Sequence, residues 1–171
     1  MVNFKKYTQS GRSMIEMLGV LAIVGVLSAG GIAGYSMAMQ SYKGTQLIER
    51  VNLIATRMRQ VYKNSYDGSG ALNTVLINSG KLTANDLKNP FGGDFAVGSD
   101  NAVSFYIIAY NLPADTCVDL LQTDWGSSGM VVRITVGGNE FQVSDGTYPP
   151  SLSSSISACK DGDNYVAWVL K

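Results

Sequence analysis

From Met17 to Met39, 23 successive residues carry no charge, against the roughly 20 apolar residues that a helix needs to cross a bilayer. No other feature constrains this chain so much, because a run of that length cannot be left in water. Residues 1–11 contain Lys5 and Lys6 and no acid, and positive charge ahead of an apolar helix holds that end on the cytoplasmic side. Three readings compete. The first is a secretory signal peptide, with an apolar core of only about 7–15 residues and a small-residue cleavage site that Ser28-Ala29-Gly30 could imitate. The second is a plain single-pass anchor. The third is a segment that anchors the chain first and serves as a packing stem afterwards.

Glu16, directly before the run, separates them. A carboxylate near the start of a membrane helix costs on the order of 2–3 kcal/mol, less near the interface. Neither a signal peptide nor a plain anchor has a use for it. A buried acid needs a cation. Cleavage after Gly11 would create one, since the new α-amino group of Arg12 would stand at i,i+4 from Glu16. It would be within reach of this Glu16 or that of a neighbouring chain.

Gly11, Glu16 and the apolar pattern Met14-Ile15-Glu16-Met17-Leu18 resemble the type IV pilin family, which includes the pseudopilins. Those proteins have a short basic leader, a Gly before the cleaved bond, a Glu as fifth mature residue and an apolar helix. The resemblance implies cleavage between Gly11 and Arg12 by a prepilin peptidase, and a register role for Glu16 in assembly. The family's first mature residue is usually apolar, often Phe or Met. Arg12 departs from that pattern, so the resemblance carries cleavage further than it carries N-methylation of Arg12.

The stem holds Gly19, Gly25, Gly30, Gly31 and Gly34. Small residues allow close helix packing in lipid, which is one explanation. The other uses the cost of glycine in a helix, about 1 kcal/mol each relative to Ala. On that reading the cluster Gly30, Gly31 and Gly34 is a weak point that melts or stretches in a filament, as the resembled family is known to do. From Ser41 the pattern changes. Leu47, Val51, Ile54, Met58 and Val61 recur at spacings of 4, 3, 4 and 3 with charges largely between them, the mark of an amphipathic helix with one buried stripe. No proline interrupts residues 12–63, and the helix should stop near Asn64, before the breaker cluster Asp67-Gly68-Ser69-Gly70.

The remainder reads as a soluble head. A short helix with Leu72, Val75 and Leu76 should stop at Gly80, and Thr83 should cap a second turn. Asn89-Pro90-Phe91-Gly92-Gly93 is a turn. Strands are expected at Val103–Tyr110, Met130–Val136, Glu140–Ser144 and Tyr165–Leu170, the last a central one. Val132, Ile134 and Val136 should face inward, and Gly137-Gly138 should close a hairpin. Pro113–Thr123 reads as a helix with Cys117, Leu120 and Leu121 on one side, and Pro149–Ala158 as another short turn. The sum is an α+β class: a long amino-terminal α-helix packed on an antiparallel β-sheet head.

Cys117 and Cys159 have 41 residues between them and no metal-type spacing. An exported head favours a disulfide, worth about 4 kcal/mol in loop-closure entropy; two buried thiols in a reducing compartment are the alternative. The segment from Asn78 through Gly93, NSGKLTANDLKNPFGG, resembles the loop after the long helix in type IVb pilins, the subclass of toxin-coregulated and thin conjugative pili. The resemblance implies a pilin-like roll in which the cysteine pair staples the carboxy-terminal part of the head.

The chain has no His, which excludes His-based catalytic pairs and His-ligated metals. Asp161-Gly162-Asp163 and Asp145-Gly146 lack the further ligands of a calcium loop and read as turns. Asp115 and Asp119 read as a solvated helix face. Trp125, Tyr148 and Trp168 fit either core or subunit interface. With 13 bases and 13 acids, no field draws nucleic acid, and loss of Lys5 and Lys6 would leave 11 bases against 13 acids, a net charge of −2. No enzymatic activity and no cofactor or metal is expected.

The expected organisation is a leader at 1–11, an apolar transmembrane and filament-core helix at 12–40, and a head at 41–171 that includes the amphipathic half of the helix. The resemblance implies a structural subunit of an extracellular type IVb-like pilus, a homo-oligomeric helical filament used in adhesion, aggregation or conjugation. It also implies a stay in the inner membrane before assembly, where the pilus assembly machinery is the partner. A minor pilin or a type II secretion pseudopilin is the alternative, and a membrane-anchored exported binding protein the remoter one.

Overall fold

A computed structural model describes residues 14–63, 65–66, 72–125 and 129–171. The chain divides between Met39 and Gln40 into two compact units. The first helix, α1 (Met14–Val61), contributes residues to both. Its last part is amphipathic as the spacing predicts: Leu47, Val51, Ile54, Ala55 and Met58 are buried and enter the core of the second unit. Val61, the last residue of the predicted stripe, is only partly buried. The breaker cluster Asp67-Gly68-Ser69-Gly70 lies outside the described residues.

Next come α2 (Asn73–Asn78), β1 (Phe95–Asn101), β2 (Ser104–Leu112), α3 (Ala114–Gln122), β3 (Val131–Val136), β4 (Asn139–Gln142), α4 (Leu152–Ala158) and β5 (Asn164–Leu170). Gly80, at φ 67°, stops the segment that α2 opens. Thr83 caps the turn ahead of Leu87, its hydroxyl oxygen accepting from the Asp86 N–H at 3.3 Å. It closes a turn with Asp86, whose carboxylate accepts from the Thr83 N–H at 2.8 Å and hydroxyl at 2.7 Å. Those two bonds, with Arg50 and Arg57 nearby, hold the Asp86 carboxyl below its usual range despite some opposing desolvation.

Among the described residues five strands make one antiparallel sheet in the order β1-β2-β5-β3-β4. The last strand in sequence sits in the middle, where continuous apolarity put it, and its Val166, Trp168 and Leu170 are buried with Phe105, Ile107 and Ile134. Trp125 packs against Trp168 in a tilted arrangement, with ring centroids 5.4 Å apart and planes inclined by 58°. The indole of Trp125 donates to the Leu120 carbonyl at 2.9 Å, and Tyr148 is buried too. All three belong to the core.

Two sequence expectations need correction. A strand, β1, occupies Phe95–Asn101, where none was foreseen; its Gly, Asp and Asn are residues that strands ordinarily avoid. In β3 the inward residues are Val131, Ile134 and Val136, with Val132 only partly buried. A bulge causes the shift. Val131 pairs with Leu170 and Arg133 with Val169, so two steps on β3 match one on β5 and Val132 is the extra residue.

Candidate functional site

Every described residue of α1 from Met14 to Tyr42 is exposed, Met14 at 87%. Apolar side chains in that number need lipid or other chains around them, and α1 is long and apolar enough to cross a membrane. Glu16 stands at the start of the described part of α1. No ion pair joins it to another described residue. Gly11 and Arg12 lie outside the described residues.

At Gly30, Gly31 and Gly34 an added Cβ would meet nothing within 4 Å. The chain's own packing therefore gives no steric reason for glycine there. The cluster is flanked by two hydroxyls that turn back on the helix, Ser28 to the Val24 carbonyl at 2.7 Å and Ser36 to the Ala33 carbonyl at 2.8 Å. Bonds of that kind loosen and bend helices slightly.

The head is built around a staple. Cys117 in α3 and Cys159 at the end of α4 form a disulfide with Cα atoms 5.9 Å apart. Further bonds hold the same region. The Gln122 amide donates to the Pro150 carbonyl at 3.0 Å and the Ser155 hydroxyl at 2.7 Å. Tyr148 donates its hydroxyl to the Thr123 carbonyl, and burial pushes its pKa up to about 12. Gly137, at φ 56°, lies so close to the Ala158 carbonyl that any side chain there would collide with it. The β3–β4 hairpin thus packs against the end of α4, inside the loop closed by the disulfide.

The Asn89–Gly93 turn is fixed by one side chain. Asn89 Oδ1 accepts from the N–H of Phe91 at 2.8 Å and of Gly93 at 3.2 Å, and its Nδ2 donates to the Tyr110 carbonyl at 2.6 Å. The loop is tied to α1 by Arg50, which donates to the carbonyls of Asn85 at 2.7 Å and Lys88 at 2.9 Å. The Lys43 ammonium lies 5.7 Å from the Phe91 ring centre. On the other side of α1, Arg59 donates to the Lys171 carbonyl at 2.9 Å and lies over the Phe105 ring. Nothing in the composition marked these two arginines; their position beside the buried stripe was the available signal.

Several acidic residues serve turns and helix ends, and Asp94, Asp100 and Glu140 pair with Lys88 or Arg133. Asp145 accepts from the N–H of Thr147 at 3.0 Å and its hydroxyl at 2.8 Å, bonds that hold its carboxyl below the usual range. Asp115 accepts from the Thr116 N–H at 2.7 Å in the first turn of α3. No cluster of three metal-ligating side chains occurs among the described residues.

Comparison with known proteins places this architecture. The family model described as PilS N terminal matches residues 41–171. The chain is 28% identical over 187 aligned positions to the major structural subunit of bundle-forming pilus from Escherichia coli O127:H6, covering 98% of this chain and 96% of that one. It is 32% identical over 97 positions to the toxin coregulated pilin of Vibrio cholerae, covering 52% and 43%. Among solved structures, TcpA, a type IV pilin from Vibrio cholerae El Tor biotype, superposes with a TM-score of 0.55 at 19% identity, over 75% of this chain and 98% of that chain. The cysteine staple, the central last strand and the exposed stem are thus found in a chain that belongs to the PilS N-terminal family and is a type IVb pilin.

Proposed function

We propose that the chain is made as a prepilin, inserted in the inner membrane by its apolar helix, cleaved after Gly11 by a prepilin peptidase, and assembled into an extracellular homo-oligomeric pilus. Its role is structural, and catalysis is left to the peptidase and the assembly machinery. One observation carries this reading: α1 is wholly exposed from Met14 to Tyr42 while the head has a complete core of its own. A surface that the chain does not cover itself is first covered by lipid and then by the stems of other copies. The relatives named as major structural subunits of bundle-forming pilus favour a major pilin over a secretion pseudopilin.

In this scheme residues 1–11 are the leader, 12–40 the membrane and filament-core segment, and 41–171 the head. Glu16, which has no ion-pair partner among the described residues, neutralises the amino group of Arg12, its own or that of an adjacent subunit, and so sets axial register. Gly30, Gly31 and Gly34 supply the helix weak point, and the Ser28 and Ser36 bonds beside them support that position. Methylation of Arg12 follows cleavage if the peptidase accepts a cationic residue there.

Intact-mass measurement of the surface protein tests the scheme. The expected species begins at Arg12, with or without one methyl group, and contains the intact disulfide. A chain beginning near Gly30 would mean a signal peptide, and an uncleaved chain a plain anchor; either result overturns the proposal.

A further inference from the structure

The two edge strands of the sheet, β1 and β4, present backbone groups that another chain could pair with. In this head nearby side chains and backbone groups already take several of those positions. Along β1 the peptides of Phe95 and Val97 point away from β2. Asn73 meets both: its Nδ2 donates to the Phe95 carbonyl at 2.9 Å, and its Oδ1 accepts from the Val97 N–H at 2.7 Å. The Leu72 N–H donates to the Val97 carbonyl at 2.8 Å, and the Phe95 N–H donates to the Leu87 carbonyl at 2.8 Å. One amide side chain and two backbone groups thus take the positions that a sixth strand would fill. The strand then ends in an irregular register between Ser99 and Asn101, which turns the edge away from regular pairing.

The opposite edge is treated in the same way. β4 has only four residues and carries an exposed Glu140. The outward N–H of Gln142 donates to the Thr147 hydroxyl oxygen at 2.8 Å, which lies 3.2 Å from the Gln142 carbonyl. Asp145 holds Thr147 in place through its backbone N–H and its hydroxyl.

We infer that Asn73 and Thr147 are edge plugs, which keep the heads of crowded copies from joining strand to strand. Copies of this chain then meet through helix and side-chain surfaces and not through a continued sheet. The inference concerns the head alone and holds whether or not Gly11 is the cleavage site.

The test uses the full chain in detergent micelles, with sedimentation measured over a range of protein concentrations. Asn73→Leu keeps the size of the side chain and frees the Phe95 carbonyl and Val97 N–H. Self-association should move to about tenfold lower protein concentration, the effect of recovering roughly one hydrogen bond. Thr147→Val should move it in the same direction at the other edge. Ser99→Lys, added to Asn73→Leu, should restore the original behaviour by placing a charge on the reopened edge. An Asn73→Leu chain that keeps its disulfide and native circular dichroism, yet associates no more than the parent, would overturn the inference. So would association that Ser99→Lys leaves unchanged. If Asn73→Leu unfolds, Thr147→Val decides: increased association supports the edge-plug role, and unchanged association overturns it.

Discussion

The stem and the head solve opposite problems with the same chemical material. In the stem, Met14–Met39 leaves its apolar side chains exposed and offers Glu16 as its sole charge. In the head, one core collects most of the large apolar side chains, with Val103, Leu152 and Ile156 left exposed, and Asn73, Asn89, Gln122 and Thr147 bond to backbone groups at the periphery. The apolar surface of the first unit is uncovered until something surrounds it, whereas the second buries a core of its own. A subunit that must pass from lipid to filament needs that division. Under the proposed scheme, the part that changes its surroundings is the exposed stem, and the part with its own core is the head.

The comparison makes the two regions separable by mutation, and the largest effect should fall on the head. Cys117→Ser removes the staple and should cost about 4 kcal/mol of head stability, read as a lower denaturation midpoint, with membrane insertion of the stem unchanged. Val51→Ala, on the buried stripe of α1, should cost somewhat less, about 1–3 kcal/mol, in the same assay. An equal loss of head stability from an apolar-to-Ala change in the stem, such as Leu21→Ala, would break the division.

Tyr148→Phe should be milder. It leaves the Thr123 carbonyl without the bond from Tyr148 and should cost about 1 kcal/mol. It also carries a pH signature. The folded-state pKa of about 12 stands above the ordinary 10, so the neutral phenol stabilises the native head. That contribution is complete below pH about 10 and is lost as the pH rises toward 12. Denaturation midpoints should therefore fall over that interval in the parent and much less in Tyr148→Phe. The smallest effect belongs to the stem. Gly31→Ala should stiffen the helix by about 1 kcal/mol, leave head stability unmoved, and slow assembly if the weak point is used there.

Much of this division could be read from the sequence, because it rests on periodicity. The charge-free run, the 4-3-4-3 stripe of α1 and the apolar β5 each reflect which surface is covered, and burial leaves a direct mark on residue choice. What escaped had another origin. β1 is a strand because Asn73, Leu72, Leu87 and β2 supply its hydrogen bonds, not because its residues favour one. The inward turn of Val131 in place of Val132 depends on a bulge against Leu170 and Val169, and so on a strand far away in sequence. At the site, Gly11, Arg12 and Glu16 were singled out by an acid that calls for a cation beside an apolar helix and by the resemblance to type IV pilins, and their roles belong to the proposal. The edge bonds of Asn73 and Thr147 were not, because nothing in a lone Asn or Thr tells which distant backbone it will meet.

The central claim is that the stem is completed only by other copies, with Glu16 setting their register, while the head is complete by itself. Counting sheared surface filaments from a Glu16→Ala strain by electron microscopy, beside the intact mass of the same protein, tests it most directly. The account predicts a chain that begins at Arg12, holds the Cys117–Cys159 disulfide, and forms few or no filaments. Filaments of normal number and length from that chain would contradict it.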